Sequence, residues 1–246
     1  MRMLEQRKDV ELYTAYLTEI GSNFSSVESV LAAKGVESMH EGVVKSVVNS
    51  SDGTAKYFQY RRKTVFLLDA DNLCHSVWKL TQLRYQLQDR QVCAASSSDS
   101  SYAVKFRFIK KLSASSSASI VHRLVLRRYV IKGGVIIMVK AFIEGDDAFK
   151  GMNSSESGWI RLRQSNAGTV MDMYMNQVPV CLNTVQSCDP RVAQFVETVI
   201  DFGQDNEQHV IGGIASLSLD DDRNSLERSK LTELTERLSL QQLKVE

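Results

Sequence analysis

Ile120 to Glu144 consists of two long apolar runs joined at Gly133-Gly134, and no other stretch restricts the fold as much. A Gly-Gly pair between β-branched runs predicts an antiparallel hairpin, because a two-residue type I′ turn needs positive φ and glycine adopts it without strain. Closing the hairpin on the two glycines sets Val130 opposite Ile137, Arg128 opposite Val139, Leu126 opposite Ala141 and Leu124 opposite Ile143. That face is apolar except for Arg128. The other face pairs Ile131 with Ile136, Tyr129 with Met138, Arg127 with Lys140, Val125 with Phe142 and Arg123 with Glu144, a mixture that predicts a mostly solvent-facing side. A sheet with one greasy face must be covered by a second layer or curl around its own interior.

A second hairpin is predicted around Ser165 to Gly168. Leu162 then faces Met171 and Ile160 faces Met173 on one side, while Trp159 faces Tyr174 and Arg161 faces Asp172 on the other. A one-residue slip would mix Arg161 with the methionines, so the agreement of both faces supports this register. Upstream, the aromatic run from Lys56 to Leu68 predicts a strand. Asp71 and Asn72 offer N-caps for a helix carrying Leu73, Val77, Trp78 and Tyr85. Tyr102, Val104, Phe106 and Phe108 alternate with Lys105 and Arg107 as a half-buried strand, flanked by serine-rich stretches that predict solvated loops, the second from Ser113 to Ser119. A polar loop is expected after Gly145-Asp146-Asp147.

The ends are helical by periodicity. Tyr13, Tyr16, Leu17 and Ile20 trace an amphipathic stripe that Gly21-Ser22-Asn23 is expected to break, with a short helix following from Ser25 to Ala33. The segment from there to Asp52-Gly53 is ambiguous between helix and strand. Asp189-Pro190 is a helix start, with Asp as N-cap and Pro at the first helical position. Val192, Phe195, Val196, Val199, Phe202, Val210, Ile214 and Leu217 continue from it as one apolar stripe, interrupted by Gly203, Asn206 and Gly212-Gly213. The expected organisation is N-terminal amphipathic helices over 1–35, one domain over 36–219, and a charged, weakly helical tail over 220–246.

Composition excludes more than it suggests. The 246-residue chain has a formal net charge of +1, with 24% charged and 43% hydrophobic residues, so no nucleic-acid partner is expected. His40, His75, His122 and His209 are dispersed and no Cys-x-x-Cys pair occurs, so no metal site is expected. No glycine cluster opens a helix after a strand to cradle phosphate, no cofactor is implied, and no Gly-x-Ser-x-Gly elbow occurs. Without a secretory apolar segment the four cysteines predict reduced thiols in a cytoplasmic or nuclear protein. No window approaches the apolar length of a membrane span, which predicts a soluble chain.

The order helix, strand, helix, antiparallel hairpins and one long C-terminal helix resembles the helix-grip fold of the START (steroidogenic-acute-regulatory-related lipid-transfer) and birch-pollen-allergen-like proteins. It is most similar to the divergent START-like proteins of oomycetes. The residues carrying the resemblance are Val65-Phe66-Leu67-Leu68 leading to Val77-Trp78, Arg127-Arg128-Tyr129, Gly151-Met152 ahead of Gly158-Trp159, and Gly168-Thr169 through Val178-Pro179-Val180. It covers Lys56 to Leu219; the serine loops and the leucine-bearing tail have no counterpart in it. The resemblance implies an α+β helix-grip fold, a curved antiparallel sheet wrapped around a long C-terminal helix, and non-catalytic binding or transfer of a lipid or other hydrophobic small molecule.

The expected ligand-binding residues are Arg128, Leu126, Val139, Met171, Met173, Val196 and Val199. Arg128 on an apolar face must find an acid, backbone carbonyls or a ligand headgroup, or else reach water at a strand end. Met171, Met173 and Met175 share the inward face of the second hairpin, as a plastic ligand surface or as plain core. Two other functions are compatible with the pattern: an interaction module with a side-chain-filled cavity, and a cyclase- or hydrolase-like enzyme. A transient membrane contact and a protein partner held by the terminal helices are compatible with the binding reading.

Overall fold

The long hairpin forms the centre of an eight-stranded antiparallel sheet. The computed structural model describes residues 2–49, 56–83, 90–112, 117–181 and 190–216, apart from 204, 206, 207, 209 and 215. In chain order the elements are α1 (Arg2–Asn23), a single 3-10 turn (Phe24–Ser26), α2 (Val27–Ala33), β1 (Gly42–Asn49), β2 (Lys56–Phe66) and α3 (Ala70–Leu83). There follow β3 (Gln91–Val92), a 3-10 turn (Ala94–Ser96), β4 (Ser101–Lys111), β5 (Ser117–Ile131), β6 (Gly134–Asp147), β7 (Met152–Ser165) and β8 (Gly168–Cys181). The C-terminal helix α4 runs over 190–203 and continues at the described positions from 205 to 216. The sheet order is β1-β2-β8-β7-β6-β5-β4-β3, with every neighbouring pair antiparallel. The tail over 220–246, Leu217 and Tyr85 lie outside the described residues.

The hairpin is where it was expected, but its register is displaced by two residues. Arg128 pairs with Ile137, Leu126 with Val139 and Leu124 with Ala141, and Lys132-Gly133 form the turn. Gly133 alone of the two glycines takes positive φ, at 79°. Gly134 serves a different purpose: it opens β6, and a Cβ there would run into the Leu162 carbonyl of β7. Because strand side chains alternate with period two, a displacement by two leaves every residue on its predicted face. The second hairpin has the predicted register throughout, including Leu162 with Met171 and Arg161 with Asp172.

One face of the sheet, hereafter concave, packs against α3 and α4. Leu124, Leu126, Ile137, Ile143, Leu162 and Met171 join Val77, Phe195, Val199, Phe202 and Ile214 in one buried cluster. The arrangement is an α+β helix-grip fold, a curved antiparallel sheet closed by its C-terminal helix. Gly158 sits on the concave face between Val139 and Met175. A Cβ there would collide with the Tyr174 carbonyl and the Met175 sulfur, so glycine is needed where β7 and β8 approach. Gly158→Ala is expected to cost about 1–3 kcal/mol, the usual range for overpacking. Thermal unfolding reads this directly, and a variant as stable as the parent would show that the strands can separate freely.

The opposite, convex face departs from expectation. It was predicted to be mostly solvent-facing, yet Val125, Ile136, Met138 and Tyr174 are buried beneath Tyr13, Ile20, Val27 and Leu31 of α1 and α2. The polar residues on that face are anchors for the helices. Asp9 accepts from Lys105 (3.1 Å) and Arg123 (2.6 Å), and Glu19 pairs with Lys140. Helix α1 passes through Gly21, because packing of Ile20 and stacking of Phe24 on Tyr129 (centroids 4.0 Å apart) outweigh the local breaking tendency.

Smaller departures have local causes. Helix α3 begins at Ala70 with Asp69 as its cap: the Asp69 carboxylate accepts from the Asn72 backbone N–H (2.9 Å), a bond that holds the carboxyl below its usual range. Residues 117–119 of the second serine tract begin β5, since paired backbone on both sides overrides serine's turn preference. Strand β6 continues through Asp147, so the expected loop shrinks to a turn before Met152. The ambiguous segment supplies the edge strand β1.

Candidate functional site

A cavity of about 270 Å³ lies between the concave face and α4. The sheet contributes Leu126 of β5, Val139 of β6, Ile160 of β7, Met173 and Met175 of β8, Phe58 and Tyr60 of β2, and Val47 of β1. Helix α4 closes it with Val199, Ile200, Gly203, Val210 and Ile211. Strand parity brings the sheet residues to one side: the registers carry the concave face from Leu126–Val139 through Ile137–Ile160 and Ile160–Met173 to Met175–Tyr60 and Phe58–Val47. The mouth lies at the sheet edge, where Lys45 and Val47 of β1 and Gly203 of α4 are exposed.

The polar groups of the lining cluster toward that edge: Lys45, Ser46, Gln59, Tyr60, Glu156 and Gln177. Lys45, Tyr60 and Glu156 are engaged with neighbouring groups, and the Tyr60 hydroxyl also accepts from Arg62 (3.0 Å). Gln177 stands directly across the ladder from Glu156 on one side and Phe58 on the other, with only 8% of its surface exposed. An apolar interior with a few polar groups toward one end is the usual form of a small-molecule site.

Of the residues expected to bind ligand, Leu126, Val139, Met173 and Val199 line the cavity together. Met171 is fully buried among the core side chains and Val196 packs at the margin of that core. Arg128 is half-buried at the far end of β5. Its Nη2 donates to the Asp99 carbonyl (3.3 Å) and its guanidinium lies 5.2 Å from the centre of the Trp78 ring. Among the described residues a foreseen backbone carbonyl is present, with an aromatic face in addition, and the half-exposed position near the strand end also lets the guanidinium reach water. Arg128→Met is therefore expected to cost about 1 kcal/mol or less, as for a partly exposed cation–π contact. Uptake of a fluorescent lipid should be unchanged, and a loss of uptake would make Arg128 a ligand contact.

The sequence reading passed over Phe58, Tyr60, Ile160, Gln177, Val210, Ile211 and the β1 residues. Gln177 was accessible in principle: it continues the alternation Met171, Met173, Met175 as the first polar residue on that stripe. Strand β1 offered no such signal, because Val43-Val44-Lys45-Ser46-Val47-Val48 pairs apolar neighbours and lacks alternation.

Among the described residues no group of three or more His, Cys, Asp or Glu could hold a metal ion. Burial pushes the Cys74 thiol up to about 11, with Asp71 adding to the shift and Arg128 opposing it, so it is a poor nucleophile at neutral pH. His122 is buried between Phe106 (5.0 Å) and Phe202 (4.6 Å), a stacking partner for α4. No helix among the described residues is long and apolar enough to cross a membrane.

The fold and cavity together define a helix-grip protein with an internal apolar site. The structure is similar to human STARD10, at 8% identity and a TM-score of 0.47 over 77% of this chain and 76% of that one. It is also similar to Ara h 8.0201 (11% identity, TM-score 0.37, covering 65% and 99%) and to the Zhui aromatase/cyclase of Streptomyces sp. R1128 (10%, 0.39, 66% and 93%). At that level of likeness no residue role and no activity carries across. No protein-family model matches the chain, and no curated protein is similar to it in sequence.

Proposed function

We propose that this protein binds a lipid or other hydrophobic small molecule, without catalysis, in the cavity between the concave face and α4. The observation that carries the reading is the apolar lining, to which Leu126, Val139, Met173 and Val199 contribute, with polar groups toward one end; those four are the proposed ligand contacts. The driving force is desolvation: apolar burial contributes about 25 cal/mol per Å² before ordering costs. The narrower likeness to oomycete START-like proteins belongs to this same reading. Native mass spectrometry of the purified protein, with lipid extraction, should reveal a co-purifying hydrophobic molecule, and the stripped protein should take up diphenylhexatriene. Absence of both would overturn the proposal.

One observation favours an interaction module instead. The edge strand β1 leaves Val43, Val44, Val47 and Val48 substantially exposed, and an edge with apolar side chains that no described strand pairs can accept a further strand. Under that reading Val44→Lys with Val48→Lys would abolish partner capture and leave dye uptake intact.

A further inference from the structure

Gln177 is the most deeply buried polar residue of the cavity lining. It is more than nine-tenths buried, lines the cavity, and its side-chain amide makes no hydrogen bond to any described residue. Its amide atoms are not sealed inside the protein but open to the cavity, where a ligand group can bond to them in place of water. Its carboxamide offers a donor and an acceptor, the complement of a hydroxyl, ester or amide. The charges nearby reinforce this choice. Lys45 and Glu156 have opposite signs and both line the cavity, so a charged headgroup attracted by one would be opposed by the other.

Size narrows the ligand further. At about 270 Å³ the cavity lies near the lower end of the range for small-molecule sites, about 300–1,000 Å³. That suits one short acyl or isoprenoid chain, or a ring system of similar bulk. A cavity of that size favours one chain over two.

Resting on the binding function proposed above, we infer that the ligand is a net-neutral, single-chain amphiphile whose hydroxyl, ester or amide head hydrogen-bonds to Gln177, with its tail running inward. The tail lies along Met175, Met173, Ile160 and Leu126 toward Val199. The head is held near the sheet edge, between Glu156 and Phe58. A mere gap-filling role for Gln177 would predict no preference for one head over another.

The test is displacement of diphenylhexatriene from the full chain by monolaurin, laurate at mildly alkaline pH, dodecane, and dioleoylphosphatidylcholine vesicles. Monolaurin should displace the dye at concentrations about five- to tenfold lower than dodecane or laurate, the expected gain for one buried neutral hydrogen bond. Phosphatidylcholine should not be extracted into a one-to-one complex. In Gln177→Met, which keeps the unbranched shape, the ratio of monolaurin to dodecane affinity should fall by that same factor. If dodecane and monolaurin compete equally, or if phosphatidylcholine is taken up, the inference fails while the binding function stands. If the parent protein takes up no dye at all, the binding function itself fails. The comparison of ligands on the unaltered protein decides the matter even if the variant folds poorly.

Discussion

Replacing Asp172 by alanine is expected to lower the unfolding free energy by about 3–5 kcal/mol, as removal of one member of a buried ion cluster does. The Asp172 side chain is fully buried on the convex face, where its Oδ2 accepts from Arg161 (2.8 Å) and Arg163 (3.1 Å). Lys63 lies 3.9 Å from its other oxygen. Arg161, 5% exposed at its side chain, also pairs with Glu28 of α2 and with Glu37 (2.9 Å). Without Asp172 the guanidinium remains beneath α2 with its main anchor gone, and both the sheet face and the helix seat are disturbed. Urea unfolding measures the loss. The double variant Asp172→Leu with Arg161→Met removes both charges and should recover much of it, because buried ion pairs can be exchanged for packed apolar groups at small net cost. A single-variant loss below about 1 kcal/mol would mean that water reaches the cluster and that α2 does not seal this face.

Phe195→Ala should cost a comparable amount, about 3–5 kcal/mol, as truncation of a fully buried phenylalanine does. Phe195 is 1% exposed and meets Phe149 edge to face, with ring centres 5.5 Å apart. One turn on, Val199 lines the cavity, and Phe202 packs on Phe108 at 4.7 Å. Because α4 is both core and cavity wall, loosening it should also abolish dye uptake. Glu197→Ala, exposed on the same helix, should change stability by no more than about 0.5 kcal/mol. If Phe195→Ala unfolds no more readily than Glu197→Ala, the helix does not grip the sheet.

The two hairpins, the main helices and the faces of the sheet were legible from local pattern, whereas strands β1 and β3 were not. Period-two alternation assigns Leu124, Leu126 and Arg128 to one side whatever their partners. For this reason a hairpin register displaced by two residues left every face assignment intact. The stripe from Phe195 to Ile214 likewise marks a helix with one buried side, and glycines 203, 212 and 213 are themselves helical. Two of the cavity's polar features are visible in the same way, since Glu156 and Gln177 sit in phase with apolar neighbours.

What covers each face was decided by the tertiary structure alone. The convex side, with Arg123, Arg127 and Lys140 among Val125, Ile136 and Met138, has the composition of a half-wet surface. It becomes interior because Asp9, Glu19, Glu28 and Glu37, from the first forty residues, neutralise its cations while α1 and α2 bury its apolar groups. Nothing within either segment announces the other, since ion pairing and burial across more than a hundred residues of chain leave no local periodicity. The position of Arg128 has the same character: only the folded chain brings the Asp99 carbonyl and the Trp78 ring to it. Sequence alternation thus determined which side chains point together, whereas long-range packing determined which of those surfaces closes as core and which remains hollow.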